Sequence, residues 1–125
     1  FDFETTHYDP MRASPVGVSF CWKEGESYYI PFNALKDISQ EEITRELKAI
    51  FEDSKIKKIG QNIKYDLLIL KNMGIALKGI EFDTMVASYL LNPSKSNHNL
   101  KSISLEYLAR AMSSIEELIG KGKPF

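Results

Sequence analysis

Lys57-Lys58-Ile59-Gly60-Gln61-Asn62-Ile63-Lys64-Tyr65-Asp66, carried on through Met73 to Gly74, is the stretch on which the fold turns. Lys57 to Gln61 reads as a short strand. Asn62 stands where a helix N-cap belongs, the helix runs to Met73, and Gly74 takes the usual place after a helix end. Ile63, Leu67 and Leu70 form an apolar stripe, while Asn62 and Asp66, at i and i+4, share the opposite face. A strand that feeds directly into an amphipathic helix is the repeating unit of an α/β sheet.

Working outward, the same alternation continues downstream. Ile80 to Phe82 is a short strand, and Asp83 can cap a helix to about Leu91, closed by Asn92-Pro93. Asn99 to about Met112 and Ser113 to Ile119 read as two more helices, the last with its own Ser-x-x-Glu box. Upstream, Ser39-Gln40-Glu41-Glu42 is a capping box for a helix to about Glu52, with Ile43, Leu47, Ile50 and Phe51 as its apolar stripe. Val16 to Trp22 and Ser27 to Phe32, joined by a Glu24-Gly25 turn, form an antiparallel hairpin. Phe1-Asp2-Phe3-Glu4 alternates with the period of a strand. The order β-β-β-α-β-α-β-α-α-α implies an α/β fold, a mixed sheet of antiparallel hairpin plus parallel strands, flanked by helices.

A chain of 125 residues with 43% hydrophobic and 26% charged residues suits one globular domain. No apolar run approaches the ~18 residues of a membrane span. Cys21, the only cysteine, excludes an internal disulfide and points to a reducing compartment. It lies in an apolar strand with no nearby His, which makes a nucleophile role poor. The net charge of −1 lacks the basic signature of most nucleic-acid-binding domains. A nuclease that recruits divalent metal escapes that rule, because the cations neutralise phosphate and carboxylate alike.

Chemistry enters with Asp2 and Glu4. Two apart on a strand, they point to one face and the phenylalanines to the other. Such a pair is either a solvated strand end or a cation site, since adjacent like charges are unfavourable until a divalent ion joins them. Asn62, just past a strand, is either a plain N-cap, a group aimed at a site above the sheet, or both, and the helix dipole there favours phosphate. His7 and His98 lack partners at ligand spacing and read as surface or loop residues. Lys55, Lys57, Lys58 and Lys64 read as a solvated face that could also meet phosphates.

The block Phe1-Asp2-Phe3-Glu4-Thr5-Thr6, the block Gly60 to Asp66, Phe82-Asp83-Thr84-Met85, Ser88-Tyr89-Leu90-Leu91-Asn92 and the string at 116–123 together resemble the 3′–5′ exonuclease domain of bacterial family A DNA polymerases. The resemblance covers essentially the whole chain. It implies a ribonuclease H-like fold and a superfamily named for four acidic residues. Asp2 and Glu4 match the first exonuclease motif, and Asp66, with Asn62, the second. The resemblance further implies two divalent ions, Mg²⁺ or Mn²⁺, with Asp2 bridging both, Glu4 on the first and Asp66 holding the second through water. Thr5, Tyr8, Asn62, Tyr65, Leu100 and Ile115 are the implied substrate-binding residues. Leu100 and Ile115 could equally be core. The implied partners are the single-stranded or frayed 3′ end of DNA and a polymerase domain of the same parent chain, in the cytoplasm at the bacterial nucleoid.

The family's third motif, a Tyr followed four positions later by Asp, is absent: no Asp follows Asp83, and no Tyr has an acid at +4. Truncation at both ends is the expectation, with the start of the first strand and the third motif both outside residues 1–125. The isolated chain is then expected to be nearly inactive, unless Asp83 or Glu106 supplies a fourth carboxylate. A ribonuclease D-like RNA-trimming enzyme and a structural spacer that has lost its metals are the alternatives. Retention of Asp2, Glu4 and Asp66 argues against the spacer.

Overall fold

The computed structural model describes residues 1–114, 117 and 120. Three strands, β1 (Asp2–Thr5), β2 (Pro15–Lys23) and β3 (Glu26–Pro31), form an antiparallel sheet in that order. Phe3 lies opposite Val18, and Val18 opposite Ile30, so one face of all three strands turns inward together. Two further strands, β4 (Lys58–Gly60) and β5 (Ile80–Asp83), pair in parallel. The α-amino group of Phe1 donates to the Ile59 carbonyl at 3.0 Å, which brings the open edge of β1 against β4 and joins the two pieces along a seam. Gly60 is required at that seam. A Cβ there would lie 2.9 Å from Ile63 Cγ1 and 3.3 Å from the Phe1 carbonyl oxygen.

Four helices accompany the strands: α1 (Gln40–Phe51), α2 (Ile63–Asn72), α3 (Thr84–Leu91) and α4 (Leu100–Leu108). The capping box at Ser39 and Glu42 forms as the sequence predicts. Helix α1 buries Ile43, Leu47 and Phe51, whereas Ile50 stays 39% exposed and belongs to the outer side. Phe51 is the centre of the core. Its ring meets Phe1 edge-on at 4.9 Å and lies 5.8 Å from Phe3 and 5.9 Å from Phe20. The phenylalanines of β1 thus anchor the strand whose other face carries the carboxylates.

The expected helix from Asn99 to about Met112 is shorter than its pattern. Asn99 caps it through the Ser102 amide, but Ala109 turns left-handed (φ 52°), and the Arg110 amide reaches back to the Ser104 carbonyl. The left-handed position that ends the helix, usually a glycine, is here an alanine. The expected last helix, 113–119, falls largely outside the described residues. Within it, Ser114 and Glu117 exchange the two bonds of a capping box. The remaining expected elements are present within one or two residues of their predicted limits.

Helices α3 and α4 bury little of their own. Leu90, Leu91, Leu105 and Leu108 are largely exposed, and a groove of about 440 Å³ runs between the two helices. Among the described residues no helix is long and apolar enough to cross a membrane.

Candidate active site

Asp2 and Glu4 stand on the outer face of β1, opposite Ser19 and Gly17 of β2. The Phe3 amide between them points away from β2, toward α2, where it donates to Asp66 Oδ1 at 3.0 Å. Backbone alternation therefore does two jobs: it sends two carboxylates outward and offers an N–H to a third.

Asp66 differs from its sequence reading. It belongs to the buried face of α2 with Ile63, Ile69 and Leu70, at 2% exposure, rather than to the side opposite the apolar stripe. A carboxylate in that position needs compensation. The Phe3 N–H gives part of it, yet desolvation, reinforced by the charge of Asp2, pushes the Asp66 carboxyl up to about 6. The Asp2 carboxyl is also raised, first by the protein packed behind it and then by Glu4. Asp2 is thus coupled by charge both to Glu4 and to Asp66. Among the described residues, however, no three His, Cys, Asp or Glu side chains are drawn in closely enough to enclose an ion.

Asn62 does not cap α2 with its side chain. It occupies the left-handed region (φ 58°, ψ 49°) and makes no side-chain capping bond. The acceptor comes instead from Asp83, whose Oδ1 takes the Asn62 amide at 3.1 Å and whose Oδ2 takes the Ile63 amide at 2.8 Å. Asp83 also caps α3, as expected, through the Met85 and Val86 amides. Burial would raise its pKa, but these backbone donors overcome that and hold the carboxyl below the ordinary range. Asp83 is therefore committed to two helix starts. Glu106, the other reserve carboxylate, is paired with Lys95.

Tyr65 and Thr5 meet. The Tyr65 hydroxyl donates to the His7 carbonyl and shares a hydrogen bond with the Thr5 hydroxyl, which closes the start of α2 onto the exit of β1. The loop so fixed presents Tyr8 at 86% exposure, its ring stacked on His7 at 4.4 Å. Leu100 is 43% exposed and lines the α3–α4 groove, so it is not core. Ile115 lies outside the described residues.

Two further readings change. Lys58 is buried rather than solvated, and its ammonium donates to the Asp53 carbonyl at 2.6 Å. Desolvation lowers its pKa. Lys55, Lys57 and Lys64 are exposed, as a solvated face requires. His98 is not a free loop residue: its Nδ1 meets the Ser88 hydroxyl at 2.8 Å, and its carbonyl accepts from Gln61 Nε2 at 2.9 Å. The sequence held no period or motif that could reveal the double role of Asp83, because its partners lie twenty residues apart in the chain and meet only through the parallel pairing of β4 and β5.

Comparison with known proteins shows the family of this chain. A family model described as 3′-5′ exonuclease matches residues 1–123. The DNA polymerase I of Pseudomonas aeruginosa is 40% identical over 129 residues, covering 98% of this chain and 14% of that protein. The DNA polymerase I of Borreliella burgdorferi is 38% identical over 126 residues, covering 99% of this chain and 14% of that protein. The chain therefore spans about 14% of the length of these curated relatives. A solved structure of Brucella melitensis NrnC with bound Mg²⁺ superposes with a TM-score of 0.71 at 25% identity, over 90% of this chain and 54% of that one.

Proposed function

Because the chain belongs to the 3′-5′ exonuclease family, we propose that it is the proofreading portion of a bacterial DNA polymerase I, removing mispaired 3′-terminal nucleotides by metal-assisted phosphodiester hydrolysis. The observation that carries this reading is the acid set itself: Asp2 and Glu4 share the outer face of β1, and Asp66 is hydrogen-bonded to the Phe3 amide between them. Such a set is unfavourable alone and suits hard divalent cations, Mg²⁺ or Mn²⁺, two to a site. When bound, these ions would acidify a water and neutralise charge growing on the phosphorus.

The chain's own residues position and bind. Asp2 and Glu4 offer oxygens from a strand pinned by Phe1 and Phe3. Asp66 is oriented by the Phe3 amide. The Thr5–Tyr65–His7 contacts hold the loop that presents Tyr8, whose open ring suits stacking on an unpaired base without regard to sequence. The unengaged Asn62 side chain and the exposed Leu100 suit further contacts to the frayed strand, and Ile115 is assigned with them by resemblance. By resemblance, a further ligand and an orienting tyrosine would come from a Tyr-x-x-x-Asp motif. The chain spans about 14% of the DNA polymerase I relatives, which supports reading it as one portion of such a protein, working at the nucleoid.

The test compares three chains on one labelled oligonucleotide: residues 1–125, the parent extended through Tyr-x-x-x-Asp, and the extended chain with that Asp changed to Ala. Loss of a comparably positioned group costs ~10²-fold or more in rate, so only the second should be fully active. Equal rates on frayed and fully paired 3′ ends would refute proofreading. Faster attack on RNA than on DNA would move the assignment to the RNA-trimming branch.

A further inference from the structure

A helix N-cap ordinarily serves its own helix. Asp83 serves two. It accepts the Met85 (2.9 Å) and Val86 (3.2 Å) amides of α3 and the Asn62 (3.1 Å) and Ile63 (2.8 Å) amides at the start of α2. Helix α2 needs the help, since Asn62 gives no side-chain cap and sits at φ 58°. Asn enters the left-handed region more readily than most residues, but the conformation persists only where its surroundings fix it. The two bonds from Asp83 fall on that residue and the next, and no other side chain among the described residues accepts from either amide.

The first turn of α2 is also where the site is assembled. Tyr65 ties it to Thr5 and His7, and Asp66 ties it to the Phe3 amide of the acid-bearing strand. The depth and rotation of this turn decide whether Asp66 reaches Phe3 and faces Asp2. We infer that Asp83 is a positioning residue of the exonuclease site: from the start of α3 it fixes the left-handed turn at Asn62, and through it the placement of Asp66 against β1. It touches neither substrate nor metal. Its importance for catalysis rests on the reading of Asp66 as a metal-binding acid, whereas its hold on Asp66 does not.

The two jobs of Asp83 separate by side-chain reach. Serine is a good N-cap for its own helix but is one atom short of α2, so Asp83→Ser keeps the α3 cap and removes the clamp. Amide hydrogen exchange, read by NMR without metal, should show Met85 and Val86 still protected. Asn62, Ile63 and Phe3 should exchange about 10-fold faster or more, the factor given by loss of one charge-assisted bond. Acceleration at Asn62 and Ile63 with Phe3 unchanged would overturn the inference, because Asp83 would then be a cap and nothing further. If Asp83→Ser loses the whole fold, Asp83→Asn, which can keep one oxygen on the Asn62, Met85 and Val86 amides but sets an NH₂ against that of Ile63, gives the test at two amides: Ile63 and Phe3 both faster supports the inference, and Ile63 alone faster overturns it. A Mn²⁺ titration closes the cycle. Asp83→Ser should weaken binding in the parent and have no further effect beside Asp66→Asn, while additive losses would refute positioning. Should Asp66→Asn alone leave Mn²⁺ binding unchanged, the metal reading of Asp66 fails, and the Phe3 amide still decides the role of Asp83.

Discussion

The Phe3 amide and the Asp66 carboxylate, 63 residues apart in sequence, meet at 3.0 Å, and that bond sets one catalytic candidate directly behind the strand that bears the other two. It also places an ionisable group in the interior with a single backbone donor for compensation outside its own helix.

A pH dependence follows. The Asp66 carboxyl is raised from 3.8 to about 6 in the folded protein, so the folded state binds the proton more tightly than the unfolded one. Its contribution favours folding least where the group must ionise: the penalty is absent below the unfolded value, grows as pH rises between about 4 and 6, and is complete above that. In EDTA, urea unfolding should show stability falling across this window. Asp66→Asn should flatten the fall and gain on the order of 2–3 kcal/mol at pH 7. A parent protein equally stable at pH 4 and pH 7, with no gain in the variant, would refute the buried-acid assignment.

Metal should reverse the sign of that penalty. Mn²⁺ binding stabilises the folded chain by mass action, and the melting temperature should rise with added Mn²⁺ even for residues 1–125. Asp2→Ala should abolish both the rise and the binding isotherm. A variant that binds as well as the parent would show that the ion sits elsewhere.

The aromatic floor beneath the acids is the main stabilising unit. Phe51→Ala removes a ring that is 1% exposed and contacts Phe1, Phe3 and Phe20, at a cost of about 3–5 kcal/mol. Chemical denaturation measures it directly. A cost under about 1 kcal/mol would mean that β1 is anchored by other contacts.

Tyr8 should behave in the opposite way. At 86% exposure its truncation to Ala should leave the unfolding midpoint unchanged. Base stacking on such a ring is worth ~1–3 kcal/mol, so KM for single-stranded DNA in the extended chain should rise by roughly 5- to 150-fold. An unchanged KM would remove Tyr8 from the substrate path.

Local signals carried most of the fold. The Ser39 and Glu42 box, the hairpin around Gly25 and the alternation at Phe1 to Glu4 all depend on neighbours in sequence, and each stands where the pattern put it. Most of the failures come from contacts that no local pattern encodes, some of them between distant parts of the chain. Asn62 has the composition of a cap, but its backbone turns left-handed, and Asp83, twenty-one residues away, takes its own amide and that of Ile63. Lys58 has the composition of a solvated face, but the Asp53 carbonyl receives its ammonium inside. Asp66 is a charged residue on an apolar face, which no periodicity rule anticipates and only the Phe3 amide explains. The early end of α4 at Ala109 is the remaining miss, and its apolar pattern gave no warning of it.

The seam between β1 and β4 gives the molecule a kinetic character. The antiparallel strands lie within residues 2–31 and the strand–helix–strand unit within 58–83. Asp2 and Glu4 belong to the first and Asp66 to the second, so the acid set is complete only while the two are docked. A transient opening of the Phe1–Ile59 and Phe3–Asp66 contacts would switch the chemistry off without unfolding either half. A divalent cation that bound acids of both units would favour the closed state by mass action.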